Sequence, residues 1–245
     1  MTINYLDSKR LQGLSTDIVE TLTFEDDFSS YADQASADAV WARSSINNIV
    51  NVSTDKIDFN FKRGTNARIS KDLGAGNVSD TAWVLRFKIR FSALTENNKA
   101  LYVVFSTSDY SASTAVSQDS LGVGFGSGLS INALENVSSN NAIVGDYNSA
   151  NYTWVTGTDY YIEIKRLSAT TTSSQAFSDS GYSTSLVTTS SQTIPSGASV
   201  VGLRYLKIFD DASFSITSDT GLGTIDDIKF YNGVTTISNY WTEEA

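Results

Sequence analysis

Trp83-Val84-Leu85-Arg86-Phe87-Lys88-Ile89-Arg90-Phe91 alternates with a period of two. Trp83, Leu85, Phe87, Ile89 and Phe91 fall on one face of an extended chain. Val84, Arg86, Lys88 and Arg90 fall on the other, and a helix would scatter both sets. The run therefore predicts a strand with an aromatic-rich face towards a core and a basic face away from it. Working outward, strand patterns recur at 21–28, 49–52, 56–61, 67–73, 101–106, 121–125, 152–155, 160–167, 200–209 and 224–231. The pair 49–52 and 56–61 flanks Ser53-Thr54-Asp55 and reads as a hairpin. Gly, Asn, Asp and Ser supply the turns. One alanine-rich stretch at 31–41, with Asp33 near its start, hints at a helix. The Ser/Thr-rich stretches at 106–120 and 168–199 carry spaced apolar residues and fit loops and edge strands. Short strands throughout predict an all-β fold, a two-sheet antiparallel sandwich of the jelly-roll kind.

The chain has 245 residues, 40% of them hydrophobic and 11% aromatic, enough for one β domain with a substantial core. Its formal net charge is −10. That acidity argues against a nucleic-acid partner, which needs clustered Lys and Arg, and against adhesion to anionic membranes. There is no cysteine and no histidine. The fold must hold without disulfides, and Ser-His-Asp catalysis, Cys-His catalysis and ordinary zinc sites are excluded. Residues 1–17 lack the apolar core of a signal peptide, and no stretch reaches the length of a membrane span, so neither a leader nor membrane insertion is expected.

Two acidic pairs stand near the ends of the strand pattern, in Phe24-Glu25-Asp26-Asp27-Phe28 and in Ile225-Asp226-Asp227-Ile228. Terminal strands that lie side by side would crowd Glu25, Asp26, Asp27, Asp226 and Asp227 together, with Glu25, Asp27, Asp226 and Asp227 as the candidate metal ligands. A hard cation such as calcium would relieve their repulsion, with Asp27 and Asp226 as the best ligands. The alternative is a set of solvated strand-end acids.

The ending Ile225-Asp226-Asp227-Ile228-Lys229-Phe230-Tyr231-Asn232 resembles the final strand of laminin-G-like domains in the concanavalin A-like lectin/glucanase superfamily. Asp26-Asp27-Phe28-Ser29-Ser30-Tyr31, followed by Ala39-Val40-Trp41, resembles the opening of many jelly-roll carbohydrate-binding modules. The likeness spans 21–234 and leaves 1–20 as an N-terminal arm and 235–245 as a tail. It implies a lectin-like jelly roll, and it raises the question of catalysis, because the superfamily includes glycoside hydrolases and polysaccharide lyases. Laminarinase-like hydrolases carry Glu-x-Asp-x-(x)-Glu on one strand, a pattern absent here. Glu163 has Lys165, not a second acid, at the next position on its face. Alginate-lyase-like relatives use a His with a Tyr and an Arg, and this chain has no His. No enzymatic activity is expected.

A sugar site needs aromatic faces and polar groups together. Two regions offer them. Arg86, Lys88 and Arg90 form a basic face suited to an acidic glycan, or simply a solvated sheet face or subunit contact. The stretch with Asn141, Asp146, Tyr147, Asn148, Asn151, Tyr152 and Trp154 is an aromatic edge, unless Trp154 turns into the core. Arg86, Arg90, Tyr147, Tyr152 and Trp154 are the ligand candidates. The arm carries Tyr5, Leu6, Leu11, Leu14 and Ile18, which have no place in a sandwich beginning at 21. Its segment from Ile3 to Leu14 is similar to openings of structural proteins in environmental viral and archaeal sequence. Two readings follow. One is a structural surface protein of a virion or extracellular filament, assembling with copies of itself through the arm and touching host glycans. The other is a free carbohydrate-binding module. On either reading Phe87 faces the core, so Phe87→Ala should cost about 3–5 kcal/mol in denaturant unfolding; a mild effect would mean that the strand faces are reversed.

Overall fold

The strand that carries the alternation runs from Trp83 to Leu94 in a computed structural model of the chain. Trp83, Leu85, Phe87, Ile89 and Phe91 are each no more than 1% exposed. The structure describes residues 22–43, 50–53, 55–62, 67–94, 99–109, 119–126, 130–136, 143–144, 150–188, 192–193, 200–209 and 220–237. The arm at 1–20, Tyr147 and the tail beyond 237 lie outside the described residues.

In chain order the strands are β1 (Leu22–Asp26), β2 (Ala42–Arg43), β3 (Val50–Ser53), β4 (Lys56–Lys62), β5 (Arg68–Asp72), β6 (Trp83–Leu94), β7 (Lys99–Ser106), β8 (Ser120–Gly126) and β9 (Ser130–Asn136). They continue as β10 (Ile143–Val144), β11 (Ala150–Asn151), β12 (Asp159–Ser168), β13 (Thr171–Phe177), β14 (Ser185–Thr188), β15 (Gln192–Thr193), β16 (Tyr205–Phe209) and β17 (Thr220–Asn232). One short helix, α1 (Gln34–Asp38), follows β1; Asp33 caps it by accepting from the Ser36 N–H at 2.8 Å. Among the described residues no helix is long and apolar enough to cross a membrane.

The strands form two antiparallel sheets packed as a sandwich. The first has nine strands, in the order β14-β13-β12-β6-β17-β4-β3, with β1 also on β17 and β15 on β13. The second has eight, in the order β10-β9-β8-β7-β16-β5-β2, with β11 on β9. Aromatic rings join them across the core. Trp83 and Phe230 of the first sheet each lie 4.8 Å from Phe105 of the second, and Phe91 lies 5.7 Å from Phe125. The expected hairpin is β3–β4, with Asp55 at φ 69° in its turn. Two expectations need correction. Residues 152–155 follow β11 without being strand, although Trp154 reaches the core, and only Tyr205–Phe209 of 200–209 is strand. The polar stretch 168–199 holds β13, whose Ser174 and Thr172 are buried.

β17 ties the chain ends together. On one side it pairs with β6. On the other it pairs with β4 from Thr220 to Ile225, then with β1 from Ile228 to Tyr231. A bulge marks the change of neighbour: Asp226 stands opposite Lys88 and Lys229 opposite Arg86, so two residues of β17 face Phe87 alone. Strict alternation from the buried Ile225 would turn Ile228 and Phe230 outward. The extra residue, Asp227, resets the phase, and both are buried. Asp227 takes φ 51°, the left-handed conformation that the bulge requires. Gly223 marks the other irregularity, because a Cβ there would lie 2.1 Å from the Arg90 carbonyl oxygen.

Deleting Asp227 should abolish folding, since it turns two core side chains to solvent, each worth about 2–5 kcal/mol against a total stability of about 5–15 kcal/mol. Asp227→Gly, which keeps the residue count and suits positive φ, should change stability by no more than about 1 kcal/mol. Circular dichroism melts of the two variants test this; a folded deletion variant would contradict the bulge assignment.

Candidate functional site

The acidic pairs meet where β1 ends beside the β17 bulge. Their carboxylates do different work. Asp26 is buried and accepts three hydrogen bonds, from Phe28 N at 2.9 Å, Trp41 Nε1 at 2.8 Å and Tyr31 Oη at 2.6 Å. It pins the chain after β1 onto the residues that follow α1. Burial and the Asp26 carboxylate together raise the Tyr31 pKa, keeping the phenol protonated. Asp27 is exposed and closes a local turn by accepting from the Ser29 hydroxyl at 2.7 Å and the Ser29 N–H at 3.0 Å. Those two donors hold its pKa below the ordinary carboxylate value. Glu25 is exposed and stands opposite Lys229 in the β1–β17 register.

Outward-facing side chains cross the first sheet in rows. Tyr161, Lys88 and Asp226 stand in register across β12, β6 and β17, as do Glu163, Arg86 and Lys229 in the next row. Lys88 Nζ lies 2.5 Å from Asp226 Oδ2, and Lys229 Nζ lies 2.7 Å from Asp227 Oδ1. Burial works to lower the pKa of each lysine, yet its carboxylate partner holds it above the ordinary lysine value. Arg86 is 8% exposed, with Nη2 2.7 Å from Glu163 Oε2, and its guanidinium lies 4.1 Å from the centroid of the Tyr182 ring. Glu163 also meets Lys165 at 2.5 Å. Arg90 stays half exposed and reaches Asp159 at 3.4 Å.

The basic face is thus neutralised row by row. Arg86 is covered by Tyr182 and held by Glu163, so it is not placed to meet a glycan. Trp154 is only 7% exposed, packed against Phe91, Phe125 and Tyr160, and belongs to the core. Tyr152 is half-buried edge-on against Trp154. Arg90 and Tyr152 remain accessible, but neither lines the two depressions beside the bulge.

Two depressions adjoin the bulge. The first, about 490 Å³, is lined by Asp27, Ser29, Asp55, Lys88, Tyr161, Ser180, Asp226 and Asp227. The second, about 470 Å³, opens towards the second sheet, and Asp27 and Asp227 line both. None of Tyr161, Asp55 and Ser180 was among the site residues expected from the sequence; the alternation of β12, whose Tyr160 is buried, is the signal that would have turned Tyr161 outward. A divalent cation does not fit the acidic residues here. Ammonium groups already sit on Asp226 and Asp227, and Asp27 is engaged by Ser29. Among the described residues no group of three or more acidic side chains is arranged to hold a metal.

No family model matches this chain, and no curated protein does. Solved structures do match. Peanut lectin superposes with a TM-score of 0.56 at 12% identity, covering 84% of this chain and 95% of that one. The metal-free carbohydrate recognition domain of Emp46p superposes with a TM-score of 0.55 at 11% identity, covering 86% of this chain and 97% of that one. A protein of unknown function from Shewanella oneidensis MR-1 covers 97% of this chain and 98% of its own at 18% identity, with a TM-score of 0.51. With its two antiparallel sheets and its terminal strands paired, the chain has the concanavalin A-like jelly-roll fold of these lectins.

Proposed function

We propose that this chain is a non-catalytic carbohydrate-binding domain whose ligand sits in the depression beside Tyr161. One observation carries the reading: the row Tyr161–Lys88–Asp226 lines one concavity together with Asp27, Ser29, Asp55 and Asp227, and the Tyr161 ring is half-buried. An aromatic face suits the apolar C–H surface of a pyranose. Carboxylates accept from sugar hydroxyls, and an ammonium donates to them. The lectin folds that superpose on the chain support the same reading. Display on a virion or extracellular filament, through assembly of the arm at 1–20, rests on the sequence, and the lectin likeness supports a free binding domain equally.

Calorimetric titration with neutral mono- and oligosaccharides tests the proposal. Binding heat should appear without the continuing heat of turnover. Tyr161→Ala should weaken affinity about tenfold, equivalent to about 1.4 kcal/mol, without lowering the melting temperature in step. Unchanged affinity in that variant would move the site elsewhere.

Because lysines already balance the two β17 carboxylates, calcium should bring no linkage stabilisation. Melting curves in millimolar calcium and in chelator should coincide. A rise in melting temperature with calcium would show that the ion displaces Lys88 or Lys229.

A further inference from the structure

The second depression is built differently from the first. Its walls include Phe24, Tyr31 and Val40, its rim includes Glu25 and Ser30, and Lys71 and Lys229 supply its cations. Val40 is 38% exposed, one of the few large apolar side chains at the surface among the described residues.

Lys71 is the unusual member. It shares β5 with Ile69, two residues earlier and fully buried, so it lies on the same inward face of the strand. Its ammonium lies 5.0 Å from the Phe24 ring centroid and 6.0 Å from that of Trp41. The two acids nearest in charge are Asp26 and Asp72, and both are taken. Asp26 receives Phe28 N, Tyr31 Oη and Trp41 Nε1. Asp72 receives Arg204 Nε at 2.7 Å, Arg204 Nη2 at 2.5 Å and Gly74 N at 2.8 Å. Among the described residues Lys71 has attraction at a distance but no hydrogen-bond acceptor. Desolvation pushes its pKa below the ordinary lysine value, as expected of a donor short of partners.

An ammonium with no acceptor among the described residues, set beside the half-buried Phe24 and the exposed Val40, matches the two-sided chemistry of a sugar ring. The ring's C–H face would lie on Phe24 and Val40, and a hydroxyl oxygen would accept from Lys71. Resting on the carbohydrate reading of the first depression, we infer that the second is an adjoining sugar subsite and that the chain binds a linear, neutral oligosaccharide of at least two units. The depressions share Asp27 and Asp227, so they adjoin at these two residues, and a ligand of two units would reach from one into the other. Neutrality follows from the lining. Glu25, Asp26, Asp27 and Asp227 outnumber Lys71 and Lys229, so a uronate carboxylate is repelled.

The test is calorimetric titration of the full chain with four neutral series of one to four units: β-1,4-linked glucose, mannose and N-acetylglucosamine, and α-1,4-linked glucose. Oligogalacturonates serve as the acidic comparison. In the series that binds, the disaccharide should be at least about tenfold tighter than the monosaccharide, which is one decade of binding constant. Lys71→Met, which keeps the apolar stem, and Val40→Asp, at an exposed position, should each reduce disaccharide affinity to that of the monosaccharide. Equal affinity for one and two units, retention of the gain in both folded variants, or tighter binding of oligogalacturonate would overturn the two-subsite inference and leave the first site standing. Absence of binding in every series would instead overturn the carbohydrate reading itself.

Discussion

Everything at the terminal corner depends on one constraint: β17 must bury Ile225, Ile228 and Phe230 while changing neighbour from β4 to β1. A regular strand cannot do this, because its side chains alternate strictly. The bulge at Asp227 adds one residue and restores the phase. Asp226 already faces outward by alternation from Ile225; the bulge adds Asp227 beside it, and Asp27 and Asp227 line both depressions. The concavity is therefore a consequence of how the fold pairs its first and last described strands. Its carboxylates are already held by Ser29, Lys88 and Lys229, and polar groups held in place lose little freedom when a ligand arrives.

Charge pairing across strands decides which polar groups remain available. Arg86 is enclosed by Glu163 and Tyr182, where desolvation makes a partner obligatory. Lys88 and Lys229 balance two carboxylates that would otherwise repel each other or call for a cation. Lys71 stands apart, held over Phe24 and Trp41 while its neighbouring acids are engaged elsewhere. The arrangement neutralises the basic stripe of β6 and leaves hydrogen-bonding capacity at the bulge and between the sheets.

Much of the fold was legible because it is written in local periodicity. The alternation of β6, the β3–β4 hairpin and a helix within 31–41, observed over the shorter span Gln34–Asp38, each depend on neighbours in sequence, and each stands in the structure. The meeting of the acidic ends was legible too, from their shared strand-end pattern. What escaped depends on partners far along the chain. Arg86 and Arg90 looked like an open basic face because Glu163 and Asp159 lie 77 and 69 residues away, as the strand register makes plain. Trp154 lies just beyond strand β11, yet aromatic packing draws it inward. β13 hid because Thr172 and Ser174 are small enough to bury without an apolar signature. The bulge itself reads as two ordinary acids; only the register against β6 reveals the extra residue.

The central claim is that sugar binds at the β17 bulge, and its most direct measurement is a backbone amide NMR titration of the isotopically labelled chain with the oligosaccharide that binds in calorimetry. The account predicts shifts concentrated at Asp27, Ser29, Tyr161, Ser180, Asp226 and Asp227, extending to Lys71 as the ligand lengthens. Shifts confined to the outer face of the second sheet, around Tyr102 and Lys207, with the bulge unmoved, would contradict it.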